Sequence, residues 1–425
     1  MEPALVADAA RVLRGIDVLS SMPDALLLAA AEAMSVLDVA EGDELVRIGE
    51  PADAMFVIAS GQFAVWVPGD QGPTQVATLG PGRGIGEMQM VSGGTRTATV
   101  RAELPSRVYR LGRADFAACA AQAPGALRAI VERVRERTQQ AQIAGLLPRL
   151  VGELSPGDLE NLVERVQVVT LARGEPLFRQ GQEGDAWFVV MSGRVQVVAE
   201  GADGGESVVG EASRGDSVGE MALLTGEPRS ASVYALRDTA LMRMGKAEFD
   251  QLLLSRPALM LTIIRALATR IRKTGRRNTD RGLGQHFAVV PAPGVDSKAV
   301  SARLVAALSA IGPTMMLDPP RLLAEGVMEN AAAVPADHPA WLRFGAWLDQ
   351  VDSRVNFLVF DAGQGDNEWA RRSVRQADHV VLVAHRDGDP APGVAERALL
   401  PGDDGRRAAR TLALLHPDGS VPPSG

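Results

Sequence analysis

The 425-residue sequence predicts a multidomain chain of mixed α+β and α/β class. Two small antiparallel β-barrels of jelly-roll type, each flanked by helices, are followed by a parallel α/β domain. Three observations carry this expectation. The chain repeats itself at a nearly constant offset. Each repeat reads as short strands punctuated by glycine turns. The last third alternates apolar strands with helices.

The repeat is direct. "FVIASGQFAVWV" (Phe56 to Val67) lies over "FVVMSGRVQVVA" (Phe188 to Ala199). "GEMQMVSGGTRTATVRA" (Gly86 to Ala102) lies over "GEMALLTGEPRSASVYA" (Gly219 to Ala235), and "RLGRADF" (Arg110 to Phe116) over "RMGKAEF" (Arg243 to Phe249). Pro124 and Pro257 continue the register. A constant spacing over such a stretch means two copies of one domain, expected at 1–140 and 141–280.

Within each copy, alternating apolar residues predict strands, such as Phe188 to Val190 and Val195 to Val197 about a Ser192-Gly193 turn. A helix leads into each copy. Before the second, Ser155-Pro156-Gly157-Asp158 supplies an N-cap, a proline at the first helical position and an early acid. A helix also follows each copy: Leu127, Ile130, Val131 and Val134 share one face, as do Leu261, Ile264, Leu267, Ala268 and Ile271. The basic run Arg265, Arg270, Arg272, Lys273, Arg276, Arg277 and Arg281 reads as a solvated helix end and linker. From residue 284 to 416, "HFAVVPAPG", "PTMMLD", "VNFLVFDAG", "HVVLVAH" and "TLALLHP" are strands and "SKAVSARLVAALSAI" is an amphipathic helix, the pattern of a Rossmann-like parallel sheet. Residues 417–425 read as a C-terminal loop.

Composition narrows the function classes. Hydrophobic residues make up 46% and charged residues 23%, the balance of a globular chain. A net charge of -8 argues against a general nucleic-acid binder. The single cysteine, Cys119, excludes an intrachain disulfide framework or a cysteine-rich metal site and suits a reducing cytosol. His286, His338, His379, His385 and His416 are scattered without metal-ligand spacing and read as surface or structural residues. "MEPALVADAARVLRGIDVL" has no basic leader, and "ALLLAAAEAM" is too short to span a bilayer and contains Glu32. These features predict a cytoplasmic protein without a transmembrane segment, whose membrane contact would be peripheral.

The chemistry concentrates in Gly219-Glu220 and, nine residues after the glutamate, Arg229. A glycine lets the backbone approach a ligand, and a short helix starting near Glu220 would aim free N–H groups at an anion. Arg229 offers a planar fork matched to phosphate oxygens. A carboxylate beside a phosphate needs another task, and accepting a hydrogen bond from a ribose hydroxyl fits it. A sugar phosphate with a free hydroxyl is the ligand class this predicts. The segment also contains Gly215-Asp216-Ser217-Val218-Gly219, a G-x-S-x-G match to the nucleophile elbow of serine hydrolases. Ser217 aligns with Gly84 in the other copy and falls in a barrel, so no catalytic role is expected for it.

"GEMALLTGEPRSASVYA" resembles the phosphate-binding cassette of cyclic nucleotide-binding domains. The resemblance implies barrels flanked by helices, a glutamate on the ribose 2′-hydroxyl and an arginine on the cyclic phosphate. Carried over, the site is Gly219, Glu220, Met221, Arg229 and Ser230 in the second copy, and Gly86, Glu87, Met88, Arg96 and Thr97 in the first. The expected ligand is cAMP or cGMP, with no cofactor and no metal. The first copy departs from the pattern: Gly94-Thr95 replaces Glu227-Pro228, losing the proline that presets the turn, and Gln89 stands for Ala222. In the family, threonine after the arginine accompanies cGMP preference and serine occurs in cAMP binders.

In the third region, "VVPAPGVDSKAV" places Ser297-Lys298 after a strand and a turn, but G-x-x-x-x-G-K-[ST] is absent, and Gly294 is its only glycine. Asp361, at the end of "NFLVFD", reads as a strand-end loop residue. Two such modules followed by "AVVPAPG", "ALSAIGPTMML" and "WARRSVRQADHVVLVA" resemble the regulatory half of neuropathy target esterase-type, patatin-like phospholipases. That resemblance implies a following patatin domain with a catalytic serine and an Asp-Gly aspartate. Asp387-Gly388 and Asp418-Gly419 are more simply turns. The expectation is a cyclic nucleotide-sensing regulatory module without catalysis of its own, acting on a patatin-like phospholipase domain in cis or in trans. A ligand-free scaffold with degenerate cassettes is the alternative, and the apolar helix faces could serve a homodimer.

Overall fold

The computed structural model describes residues 2–20, 22–69, 72–122, 124–152, 155–201, 204–255, 260, 263, 285–336, 338, 340–352, 354–386 and 409–416. The expected basic run, the helical positions Leu261, Ile264, Leu267, Ala268 and Ile271, the two Asp-Gly turns and the loop 417–425 lie outside these residues. The chain divides into two compact units. One comprises 1–138, 320–330 and 335–343; the other comprises 139–319, 331–334 and 344–425.

In the first unit, two four-stranded antiparallel sheets form the barrel. One runs in the order Ser35–Val39, Ser106–Gly112, Ala54–Ser60, Gly84–Ile85. The other runs Glu44–Val46, Thr99–Ala102, Phe63–Gly69, Gly72–Leu79. The strand Ala54–Ser60 shows why the sequence was so apolar here. Phe56 and Ile58 point into the barrel with Phe63, Val100 and Val108. The alternate residues, Met55 and Val57, point out against helical residues Leu13, Leu27, Phe116, Ile130 and Val134. Both faces of this strand are buried, so its apolar run does not alternate with polar residues.

The second unit repeats the barrel strand for strand. Gln167–Leu171, Thr239–Gly245, Ala186–Ser192 and Ser217–Val218 form one sheet. Pro176–Phe178, Ser232–Ala235, Arg194–Glu200 and Glu206–Ser213 form the other. Phe188, Val190, Val195, Val233 and Leu241 fill the interior. Trp187, Val189 and Met191 face out against Ile143, Leu147, Phe249 and Leu252. The leading helix Pro156–Arg165 starts as expected, with the Ser155 hydroxyl accepting from the Asp158 N–H at 3.2 Å.

The same unit contains the parallel sheet, in the order Thr314–Leu317, Phe357–Asp361, Gln285–Pro291, His379–His385, Ala409–Leu415. All five expected strands are present. Numbered along the chain the order is 2-3-1-4-5, whereas dinucleotide-binding sheets run 3-2-1-4-5-6. The sheet is doubly wound but has its own strand order, because the third strand inserts between the first and second.

Of the two roles expected for the histidines, His286 takes the structural one: it is fully buried within a charged cluster joining the second barrel to the sheet. Its Nδ1 lies 3.0 Å from the Gln376 carbonyl and its Nε2 2.8 Å from Asp352. From the barrel, Arg237 donates to Asp352 and Asp378, and Arg194 donates to Asp352. Next to this cluster, Asp349 accepts from the Gly193 N–H at 3.3 Å. Sequence spacing carried no signal for these partners, which are more than 40 residues apart and pair only in the fold.

Candidate ligand-binding site

In the second copy the cassette is built around a left-handed glycine. Gly219 has φ 86° and ends the two-residue strand Ser217–Val218, and Glu220–Thr225 begins directly after it as a short helix. Its lack of a Cβ is what allows Arg229 in: a Cβ on Gly219 would sit 2.6 Å from Arg229 Nη1. Arg229 Nη1 donates to the Gly219 carbonyl at 2.8 Å. Nη2 donates to the Ala186 carbonyl at 2.8 Å and to Asp185 at 3.1 Å. The guanidinium carbon lies 4.2 Å from the centroid of Phe178 and 5.7 Å from that of Phe188. Burial lowers the pKa of Arg229, which stays a cation because guanidinium starts so high.

Glu220 is buried at 1% exposure. The Ser217 hydroxyl donates to its carboxylate at 3.4 Å. Ser217 is itself buried on its short strand and serves the glutamate, so the G-x-S-x-G spacing marks no exposed nucleophile elbow. Met221 is 41% exposed and Ser230 is exposed.

The first copy repeats the core of this geometry. Gly86 has φ 77°, and a Cβ there would lie 2.1 Å from Arg96 Nη1. Arg96 is buried, donates to the Ala54 carbonyl at 2.7 Å and lies 5.5 Å from the Phe56 centroid. Its pKa is also lowered by burial. The glutamates differ. Glu87 is paired with Arg137 of the helix Pro124–Val151 at 3.2 Å. Met88 is half-buried and Thr97 exposed.

One element of the site went unread in the sequence. Asp185 bridges Arg229 and Arg243, the latter at 2.7 Å. Burial raises the Asp185 carboxyl, but the Arg243 hydrogen bond and the Arg229 charge outweigh it and hold its pKa below the ordinary value. In the first copy Asp53 stands 3.0 Å from Arg110 and 4.0 Å from Arg96. The signal was present in the repeat, since "DAMF" aligns with "DAWF" and "RLG" with "RMG". An internal carboxylate thus hydrogen-bonds Arg229 in the second copy and stands near Arg96 in the first. A cavity of about 610 Å³ opens beside this triad, walled by Val169, Leu177, Phe178 and Phe188 and rimmed by Asp185 and Arg243.

In the parallel-sheet domain, the loop after the first strand contains Gly294 at φ 83° and Asp296, which caps the following helix Ser297–Ser309 through the Ala299 N–H. Lys298 lies 3.9 Å from Asp318. Asp361 accepts from the Gly363 N–H at 3.1 Å, the local turn role expected of it. Among the described residues, no group of three or more His, Cys, Asp or Glu is placed to hold a metal, and no helix is long and apolar enough to cross a membrane.

Comparison with known proteins agrees with the architecture. Residues 36–123 and 168–256 each match the cyclic nucleotide-binding domain family. Residues 285–425 match the Neuropathy Target Esterase family P-loop like domain. Lysophospholipase nte1 of Aspergillus terreus is 28% identical over 320 residues, covering 70% of this chain and 20% of that protein. Patatin-like phospholipase domain-containing protein 6 of Homo sapiens is 24% identical over 364 residues, covering 81% of this chain and 25% of that protein. Among solved structures, the regulatory domain of Toxoplasma gondii PKA with cAMP is 21% identical with a TM-score of 0.29, covering 63% of this chain and 98% of that one. The chain therefore spans a quarter or less of the length of these curated relatives. It consists of two cyclic nucleotide-binding domains and a Neuropathy Target Esterase family P-loop like domain.

Proposed function

We propose that this chain, with its two cyclic nucleotide-binding domains and its P-loop like domain, is a cyclic nucleotide-sensing regulatory module that controls a patatin-like serine lysophospholipase domain, in cis or in trans. The observation that carries the reading is the twice-built cradle: a buried arginine lodged against the left-handed glycine that precedes a carboxylate. In this reading Arg229 and Arg96 bind the cyclic phosphate of cAMP or cGMP, and Glu220 and Glu87 accept from the ribose hydroxyl. Ligand binding orders each cassette and shifts the helix that follows its barrel. The similarity of this chain to relatives named as lysophospholipases supports a phospholipase as the regulated partner. The module is assigned no catalysis of its own and a cytoplasmic place of work.

A second reading, a cassette that no longer takes ligand, has one observation in its favour in the first copy. Glu87 is already paired through one oxygen with Arg137, with which a ribose hydroxyl would have to share the carboxylate.

Calorimetry with cAMP and cGMP tests both. Replacing Arg229 with Ala removes charge-assisted hydrogen bonds worth about 1.5–3 kcal/mol, so affinity at the second site falls roughly tenfold to 150-fold. Unchanged affinity in this variant would overturn the assignment. Heat from one site only, abolished by Arg229→Ala, would establish the ligand-free reading for the first copy.

A further inference from the structure

The tips of the two cassettes have opposite surroundings. In the second copy Gly226, Glu227 and Pro228 are exposed, and nothing lies within 4 Å of a Cβ built on Gly226. Pro228 fixes its own φ and stiffens the turn. In the first copy the aligned residues are Gly93, Gly94 and Thr95, and Gly94 is buried. Two successive glycines at φ 66° and 94° would make this a loose loop if it stood alone.

It does not stand alone. Within the same compact unit, residues 326–329 and Arg343 cover it. The Thr95 N–H donates to the Gly326 carbonyl at 3.3 Å. A Cβ on Gly94 would lie 2.7 Å from Arg343 Nη1 and 2.8 Å from the Gly326 oxygen, and a Cβ on Gly326 would lie 2.3 Å from Thr95 Cγ2. Arg343, itself hydrogen-bonded to the Val327 carbonyl, leaves no room for the glutamate found at the second tip. Beside it, Arg113 Nη1 donates to both Glu329 oxygens at 2.8 Å. Its Nη2 donates to the carbonyls of Ala52 at 2.7 Å and Gln89 at 3.0 Å, which ties the contact to the cassette helix. The second copy has Lys246 at this position, 3.5 Å from the Leu223 carbonyl. Three departures from the repeat, Gly94, Thr95 and Arg113, thus meet at one contact.

We infer that the outer face of the first cassette is a docking socket for residues 326–329 and Arg343, and that the docked segment holds the Arg96 loop in shape as Pro228 does for Arg229. The consequence for ligand rests on the cyclic-nucleotide reading of Arg96. A preformed loop loses less freedom on binding, so docking and nucleotide binding at the first site strengthen each other reciprocally.

The test uses the full chain carrying Glu329→Ala, or Arg113→Lys to install the second-copy residue. Glu329 is half exposed, so its loss leaves the core intact. Hydrogen exchange is read at 93–97 and at 326–329, with 226–230 as internal control. The expected result is faster exchange at the first two segments together, by about tenfold, with 226–230 unchanged. Full protection of 93–97 in both variants overturns the inference. In an Arg229→Ala background, where the second site is weakened roughly tenfold or more, cAMP and cGMP are then titrated into each variant. Affinity about threefold weaker or more supports the coupling, and equal affinity despite the exchange change overturns it. If the Arg229→Ala chain binds neither nucleotide while the exchange result holds, the socket stands, and the ligand reading of the first cassette and the coupling fall.

Discussion

Replacing Asp349 with Asn should stabilise the second unit by roughly 3 kcal/mol more at pH 8 than at pH 5. Asp349 is on the helix Ala340–Asp352, with its side chain 16% exposed. Burial and the neighbouring Asp352 push its carboxyl up to about 7, against smaller downward effects of the Gly193 N–H, Arg214 at 3.8 Å and Arg237. One carboxylate oxygen accepts from Gly193, and the other is buried without a hydrogen-bond partner among the described residues. The neutral acid therefore suits this place better than the anion does.

An acid whose pKa is raised on folding contributes most stability below its unfolded pKa, near 3.9, and loses it as pH rises through about 7. Between pH 5 and pH 7 the folded chain holds a proton that the unfolded chain has released. About two pKa units at 1.36 kcal/mol each make a loss of roughly 3 kcal/mol by pH 8. Asparagine keeps the acceptor for Gly193 and cannot ionise, so it escapes this loss. Urea unfolding of both proteins at pH 5 and pH 8, followed by tryptophan fluorescence, reads the difference. The reasoning is refuted if the advantage of Asp349→Asn does not grow with pH, or if the variant is the less stable protein at pH 8. Either result would mean that Arg214 holds Asp349 ionised.

Two further substitutions check the scaffold. Ser155→Ala removes the N-cap of the helix Pro156–Arg165 and should cost about 1 kcal/mol in urea unfolding, with Ser155→Gly costing only a few tenths. Phe249→Ala deletes a fully buried ring 5.5 Å from the Trp187 ring and should cost about 3–5 kcal/mol, with Trp187 fluorescence reporting the loosened packing.

The parts legible in the sequence were those set by local rules applied twice. Strand period, glycine turns and the Ser155 cap each depend on near neighbours, so the two barrels and all five parallel strands could be placed before any contact was known. Gly219 and Arg229 were legible for the same reason, because their spacing recurs at Gly86 and Arg96. Asp185 and Arg243 recur as well, as Asp53 and Arg110. Their spacing does not tie them to the cassette, because Asp185, Arg229 and Arg243 meet only in the folded barrel. The His286 cluster was illegible in principle, since its charges come from three strand ends and one helix that meet only after the sheet has formed.

The departures of the first cassette read differently in isolation and in the fold. Gly94-Thr95 for Glu227-Pro228 reads as decay if the loop is imagined in solvent, where losing a proline and gaining a glycine costs stiffness. In the fold Gly94 is buried under Arg343 and the Gly326 carbonyl, where a side chain has no room. The same change that weakens an isolated loop is required by a covered one. The two copies therefore differ less in how they would hold a phosphate than in what their outer faces touch. Arg96 and Arg229 keep the close glycine, the same carbonyl partner and a neighbouring aspartate, which only Arg229 reaches by a hydrogen bond. Part of the divergence fell on the tip and on Arg113, as expected where one copy took on a contact that the other lacks.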